Sequence, residues 1–214
     1  MSTQSDISYI TQFLSQSNKG PLQCDWNTAK SVLCYLKGSQ DIGIVYHRES
    51  SSKSRDHGHA TPWGYCDSNY VEDPRDWKST SSYSFMLARG PIAWKSKKQT
   101  SVALSTTEAE YYTLGVTFQE AVWLRQLCKE LGMDLNQLTS IYSDNMGAVA
   151  LSDNPVFHNR SKHIDIHWHF ICDLIQSKTI HTSHIPGTEN GSDFLTKALN
   201  QFKHERCVKL LGME

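Results

Sequence analysis

The sequence predicts an α/β domain, a mixed sheet with helices packed on it, preceded by a small and mainly helical segment. Three observations carry that reading. Residues 47–60 (HRESSSKSRDHGHA) are polar, rich in serine and charge, and aperiodic, so they read as a linker between a segment over 1–46 and a domain over 61–212. Past the linker, strand-like runs come first, and strand and helix patterns then alternate. The longest helical pattern opens at Ser105 and continues to Gly132, with one apolar face.

Taken in order, Ile7, Ile10, Phe13 and Leu14 recur at helical spacing until Asn18-Lys-Gly-Pro21 breaks the pattern. A second helix, roughly Asp25 to Leu36, is expected to bury Trp26, Ala29, Leu33 and Leu36, with Gly38 as its stop. Ile42 to Tyr46 reads as a short strand. Trp63 to Asp67 is a strand ending on an acid, and Ser79 to Leu87 alternates through Tyr83, Phe85 and Leu87. A turn at Arg89-Gly90 leads into a strand over Pro91 to Trp94, and Lys95-Ser-Lys-Lys-Gln99 reads as a compact basic turn. Ser101 to Leu104 enters the long helix, where Ser105 and Glu108 have the spacing of a capping box. Thr139 to Asp144 is another strand ending on an acid, and Asp144 or Asn145 caps a short helix through Leu151. Arg160 to Ile175 is a helix, Thr179 to Ile185 a strand and Pro186-Gly187 a turn. Ser192 or Asp193 starts a helix through Leu199, and a last helical stretch covers Lys203 to Leu211.

Bulk properties exclude several classes. The net charge is −1, so a nucleic-acid site must be a local patch rather than a global field. Six cysteines are scattered without a CxxC pair, which argues against a zinc knuckle and a disulfide scaffold and for a reduced, intracellular protein that is not secreted. No apolar run approaches the ~20 residues that span a bilayer, and Met1-Ser-Thr-Gln-Ser-Asp6 lacks the blocks of a signal peptide. No membrane contact is expected.

The chemistry points to acids. From Glu110, the steps i+4, i+8, i+11 and i+14 meet Leu114, Phe118, Ala121 and Leu124, so this carboxylate sits at one end of a core-facing stripe. Glu108 already has a capping role, and its own row (Tyr112, Val116, Gln119, Val122) is more mixed. Taken singly, Glu110 could reach water or a lysine, Asp67 could simply end a strand, and Asp144 and Asp193 are ordinary residues at helix N-termini. All four in one domain read better as one site. Carboxylates brought together repel, and divalent cations relieve that repulsion. Hard oxygen ligands suit Mg²⁺, with Mn²⁺ able to substitute. Two such ions ~3.5–4 Å apart would activate a water and stabilise the leaving oxygen in phosphodiester cleavage.

Several stretches carry a specific resemblance. Gly64-Tyr-Cys-Asp67-Ser68, Trp77-Lys-Ser-Thr-Ser-Ser-Tyr83, Ala93-Trp-Lys-Ser-Lys-Lys-Gln99, Ala103-Leu-Ser-Thr-Thr-Glu-Ala-Glu110-Tyr111, Tyr142-Ser-Asp144-Asn145, Arg160-Ser-Lys-His-Ile-Asp-Ile166 and Ser192-Asp193-Phe-Leu-Thr-Lys197 occur in that order. Together, over about residues 61–212, they resemble the ribonuclease H domain of copia-type retrotransposons. The resemblance implies a ribonuclease H-like five-stranded mixed sheet flanked by helices. It also implies endonucleolytic cutting of the RNA strand of an RNA–DNA hybrid with two Mg²⁺ ions, and metal-binding catalytic acids at Asp67, Glu110, Asp144 and Asp193. In the wider family a small residue follows the catalytic Glu by three positions, and Thr113 fits Glu110 where Tyr111 does not fit Glu108. Trp26-Asn-Thr-Ala-Lys-Ser-Val-Leu-Cys-Tyr-Leu-Lys-Gly38 and Gly43-Ile-Val-Tyr46 resemble the tail of a copia-type reverse transcriptase, whose polymerase part is therefore an expected partner. The Tyr-x-Asp-Asp signature of the polymerase is absent from this sequence.

Two departures stand out. Met146 occupies a place where related enzymes often carry a Gln that hydrogen-bonds in the minor groove of the hybrid. His184 lies nine residues before Asp193, close to the place of a proton-shuttling histidine in some members. For substrate grip, Ser68, Asn69 and Asn145 are short donors beside the acids, suited to 2′-hydroxyls but also to turns. Lys95, Lys97 and Lys98 beside Trp94, with Arg160 and Lys162, could track phosphates or be a solvated basic turn. His163, His167 and His169 lack the following Glu and the thiolates of a zinc site and read as packing residues. The alternative to a nuclease is a non-catalytic or domesticated module that binds hybrid or docks on a reverse transcriptase. A transposase or integrase of similar fold would place its Glu last in the order of acids, and here it comes second.

Overall fold

The computed structural model describes residues 4–47, 61–73, 75–153 and 162–214. The expected linker, apart from His47, lies outside the described residues, as do Arg160 and the side chain of Lys162. Five strands form one mixed sheet: β1 (Trp63–Asn69), β2 (Thr80–Leu87), β3 (Gly90–Lys98), β4 (Thr139–Ser143) and β5 (Ile180–His184), in the spatial order β3-β2-β1-β4-β5. The first three are an antiparallel meander, while β4 runs parallel to β1 and β5 parallel to β4. Parallel neighbours need long crossovers. The helix α3 (Thr106–Glu130) lies on the path to β4, and α4 (Met146–Asp153) and α5 (Lys162–Gln176) connect β4 to β5. This is the five-stranded mixed sheet with flanking helices that the resemblance implies.

Helix α3 forms as its sequence dictates. The Ser105 hydroxyl accepts the Glu108 N–H at 3.1 Å, and the Glu108 carboxylate accepts the Leu104 N–H at 2.8 Å, one residue upstream of the expected cap N–H. Leu114, Phe118, Ala121 and Leu124 are buried against Cys66, Phe85 and Ile141 of the sheet and Ile171 of α5. Full burial of the leucines and of Phe118 stabilises by about 1.5–3 kcal/mol each. On the opposite face, Tyr65 and Met86 meet Phe194 and Leu195 and, from α6 (Gln201–Leu210) and its C-terminal flank, Val208, Leu211 and Met213.

The N-terminal segment is built onto that second face. Its helices are α1 (Ser8–Ser15) and α2 (Gln23–Gly38). The expected strand at Ile42 to Tyr46 is reduced to one antiparallel bridge, Ile44 with Met213, flanked by reciprocal Gly43–Glu214 backbone bonds of 2.7 and 3.0 Å. The Tyr46 hydroxyl donates to the Pro91 carbonyl, and the His47 N–H donates to the Ala88 carbonyl. Tyr9 donates to Glu72. Lys98 reaches Gln16 of the segment together with Asp73 and Asp76.

Three expectations are corrected. Helix α2 buries none of its residues, and Trp26 and Leu33 are 62% and 66% exposed. Tyr35 donates to Asp6 and meets the His204 ring edge-on, while Trp26 and Leu33 face away from this chain's cores. The basic turn at 95–99 is the second half of a continuous strand, β3, because an edge strand tolerates polar residues on both faces. The expected helix from 192 to 199 is a single 3-10 turn, Asp193–Leu195, and α6 starts later, at Gln201.

The β2–β3 connection is two residues long, and Ala88 and Arg89 both adopt positive φ, 52° and 65°. A turn of this kind favours Asn-Gly, so the natural pair is held there at a cost. The double substitution Ala88→Asn, Arg89→Gly is expected to stabilise the protein by about 1 kcal/mol, or roughly 2–4 °C in Tm. Thermal unfolding followed by circular dichroism reads this, and an unchanged or lower Tm would contradict it.

Candidate active site

Strand register builds the site. The parallel pairing of β1 and β4 sets Tyr65 opposite Tyr142, so two residues further along each strand Asp67 and Asp144 leave the sheet side by side on the same face. Helix α3 crosses at the end of β1 and brings Glu110, whose Oε1 accepts the Ser68 N–H at 3.1 Å. Oxygens of Asp67, Glu110 and Asp144 lie within 4.8 Å of one another. Asp193 opens its 3-10 turn beside them. Its charge acts on Asp67 and Asp144, and its carboxylate is ion-paired with Lys197, four residues on. Glu110, 5% exposed, is thus the glutamate of the group, while Glu108 stays at the exposed cap.

The electrostatics of the group are strained. Like charges at such separations cost on the order of 3 kcal/mol per pair at an effective dielectric of about 20. Three pairs therefore rival the whole stability of a typical domain. Burial, reinforced by the charges of Asp67 and Asp144, pushes the Glu110 carboxyl up to about 9. Burial also lifts Asp67 to about 6, against the opposing pull of Lys197 and the Thr196 hydroxyl. Asp144 is raised by burial and by Asp193, with Lys197 and His184 opposing. Burial would lower Lys197, but Asp67 and Asp193 outweigh it and hold the ammonium charged. Glu110 Oε2 is buried without a hydrogen-bond partner among the described residues. Three carboxyl groups so placed form, once ionised, the all-oxygen ligand set that a hard divalent cation such as Mg²⁺ or Mn²⁺ takes.

The other candidates divide. His184 ends β5, and its charge reaches Asp144. Ser68 serves Glu110 through its backbone, and its hydroxyl is buried without a partner among the described residues. Asn69 ends β1 opposite Thr80. The Asn145 side chain caps α4 by accepting the Ala148 N–H at 2.9 Å, so it acts first as a helix cap. Met146 is 69% exposed at the start of α4. The expected basic cluster is split by strand alternation. Lys95 stands over the Tyr83 ring toward α3, and Lys97, two residues on, shares that face. Trp94 packs in the second core, and Lys98 is committed to Asp73 and Asp76. Thr196 and Lys197, part of the Ser192–Lys197 motif but without a role assigned from the sequence, touch Asp67 and Asp193 respectively. The i,i+4 spacing of Asp193 and Lys197 was a legible signal for the second, whereas a buried threonine at a turn has none.

No family model matches the chain. The retrovirus-related Pol polyprotein from transposon RE2 of Arabidopsis thaliana is 37% identical over 211 residues, 99% of this chain and 14% of that protein. That from transposon TNT 1-94 of Nicotiana tabacum is 33% identical over 213 residues, 99% of this chain and 15% of that protein. The chain therefore spans only 14–15% of the length of these curated relatives. Among solved structures, LC11-RNase H1, isolated from compost by a metagenomic approach, aligns with a TM-score of 0.49 at 15% identity, covering 64% of this chain and 93% of that one.

The raised carboxyls fix a pH dependence. A carboxyl held above its unfolded value contributes stability that is intact below that value and is lost as pH rises toward the folded value, here about 9 for Glu110. In the presence of a chelator, stability is expected to fall between about pH 5 and about pH 9. Glu110→Gln should remove much of that slope, matching wild type near pH 4 and exceeding it by several degrees in Tm near pH 8. Thermal melts across pH measure it, and a flat wild-type profile would refute the shared-charge account.

Proposed function

The chain belongs to the copia-type, retrovirus-related Pol polyproteins of transposons, and on that premise we propose that it cuts the RNA strand of RNA–DNA hybrids by metal-dependent phosphodiester hydrolysis. The observation that carries this reading is the convergence of Asp67, Glu110 and Asp144, whose oxygens lie within 4.8 Å of one another, with Glu110 Oε2 buried and lacking a hydrogen-bond partner among the described residues. Those three residues would hold the cations, with Asp193 at the rim. Two Mg²⁺ ions bound there would supply an activated water and charge neutralisation at the leaving oxygen.

The chain's own residues do the rest. The Ser68 N–H fixes Glu110, and Lys197 brings a positive charge to the edge where an anionic phosphate would lie. His184, beside Asp144, is the group we assign to proton transfer. We assign Lys95 and Lys97, on the face of β3 that carries α3, to contacts with backbone phosphates, which would weaken with salt. Trp26 and Leu33, seven residues apart on one face of α2, are exposed, as is Leu22 at the helix's N-cap, and this apolar surface supports docking on the polymerase part of a reverse transcriptase. The same reading sets the protein in a reducing, intracellular retrotransposon particle.

That exposed stripe is also what favours the second reading, a docking module without activity. Cleavage of a labelled hybrid in Mg²⁺ separates the two. Wild type is expected to cut and Asp67→Asn to lose at least about a hundredfold in rate, more than loss of an outer-shell partner usually costs. Two proteins that bind hybrid alike and cut nothing would leave the module reading standing.

A further inference from the structure

We propose that Thr196 is a positioning residue that orients Asp67 toward a bound divalent cation, an inference that rests on the metal site of the function proposed above. Thr196 is fully buried, and its hydroxyl donates to Asp67 Oδ2. The same oxygen lies 3.0 Å from the Asp193 carbonyl, so one side chain joins the strand acid to the turn that carries Asp193. A hydroxyl has one proton to give, and a carboxylate is the stronger acceptor. With Oδ2 tied down, the Asp67 carboxylate loses its freedom to rotate and keeps its other oxygen for a cation.

The donor is itself anchored. Asn190 Nδ2 donates to the Cys66 carbonyl at 3.0 Å, and Asn190 Oδ1 accepts both the N–H and the hydroxyl of Ser192. The Ser82 hydroxyl donates to the Ser192 carbonyl at 3.1 Å. Cys66 precedes Asp67 on β1, and Ser82 faces Asp67 across β2, so the turn is tied to the strand at both levels. The bonds are buried and mutually satisfied, which is the condition under which a polar network specifies one geometry. Among the described residues Lys197 is ion-paired directly with Asp193 and acts on Asp67 through its charge alone, so the side chain that holds Asp67 by a hydrogen bond is its neighbour Thr196.

Removing an outer-shell partner of a metal ligand typically weakens metal affinity about 10–100-fold. The test is titration calorimetry of Mn²⁺ into wild type, Thr196→Val, Thr196→Ala and Thr196→Ser, with melts of the metal-free proteins alongside. Val and Ala are expected to weaken Mn²⁺ binding by at least about tenfold, and Ser, which keeps the hydroxyl, to stay within about threefold of wild type. A merely structural role would follow the melts, whereas positioning follows the hydroxyl. If Val does not fold, the Ala and Ser proteins decide the question alone. Equal affinity in wild type, Val and Ala overturns the inference, as does a loss in Ser as large as that in Ala. No Mn²⁺ binding by wild type overturns it along with the metal site itself, a result distinct from either.

Discussion

The parallel register of β1 and β4 is the constraint on which the rest depends. It pairs Tyr65 with Tyr142, packs both rings on the second face, and carries Asp67 and Asp144 out of the sheet together. A slip of one residue would turn either acid to the α3 face and bring a serine in its place. The meander β1–β2–β3 and the crossovers to β4 and β5 serve this alignment from both sides. Helix α3 then has only to pass the end of β1 for Glu110 to complete the group.

Convergence of acids brings an energetic problem that the protein spreads over several elements. Part is met by burial that holds the Glu110 carboxyl toward its neutral form and part by Lys197. The remainder is geometric. The segment from Asn190 to Lys197 is irregular, yet Asn190, Ser192 and Thr196 are all buried and hydrogen-bonded through their side chains. Irregular backbone that is fully satisfied can place side chains as rigidly as a helix does.

Much of this was legible from spacing alone. The step from Glu110 to Leu114, Phe118, Ala121 and Leu124 told which glutamate faces inward, because 3.6-residue periodicity is a property of the chain itself. Asp67 and Asp144 were legible as acids at strand ends. The basic stretch at 95–98 was misread because lysines at an edge strand carry no apolar alternation to reveal period two. The stripe of α2 was read as buried because an amphipathic pattern states that a face wants cover without stating whose. The grip of Thr196 on Asp67 spans 129 residues and leaves no local trace.

The stitch between Gly43 and Glu214, with Ile44 bridged to Met213, carries a consequence for how such a protein can be dissected or inherited. Because one strand-like stretch closes over the other, a fragment starting after the linker would uncover Met213, which is 3% exposed in the intact fold, and would open the core around Leu211 to water. Recombination that swapped the leading helices for unrelated ones would meet the same penalty. The closing residues of the domain are thus covered by a stretch that lies before the linker, and each part leaves exposed surface when the other is removed.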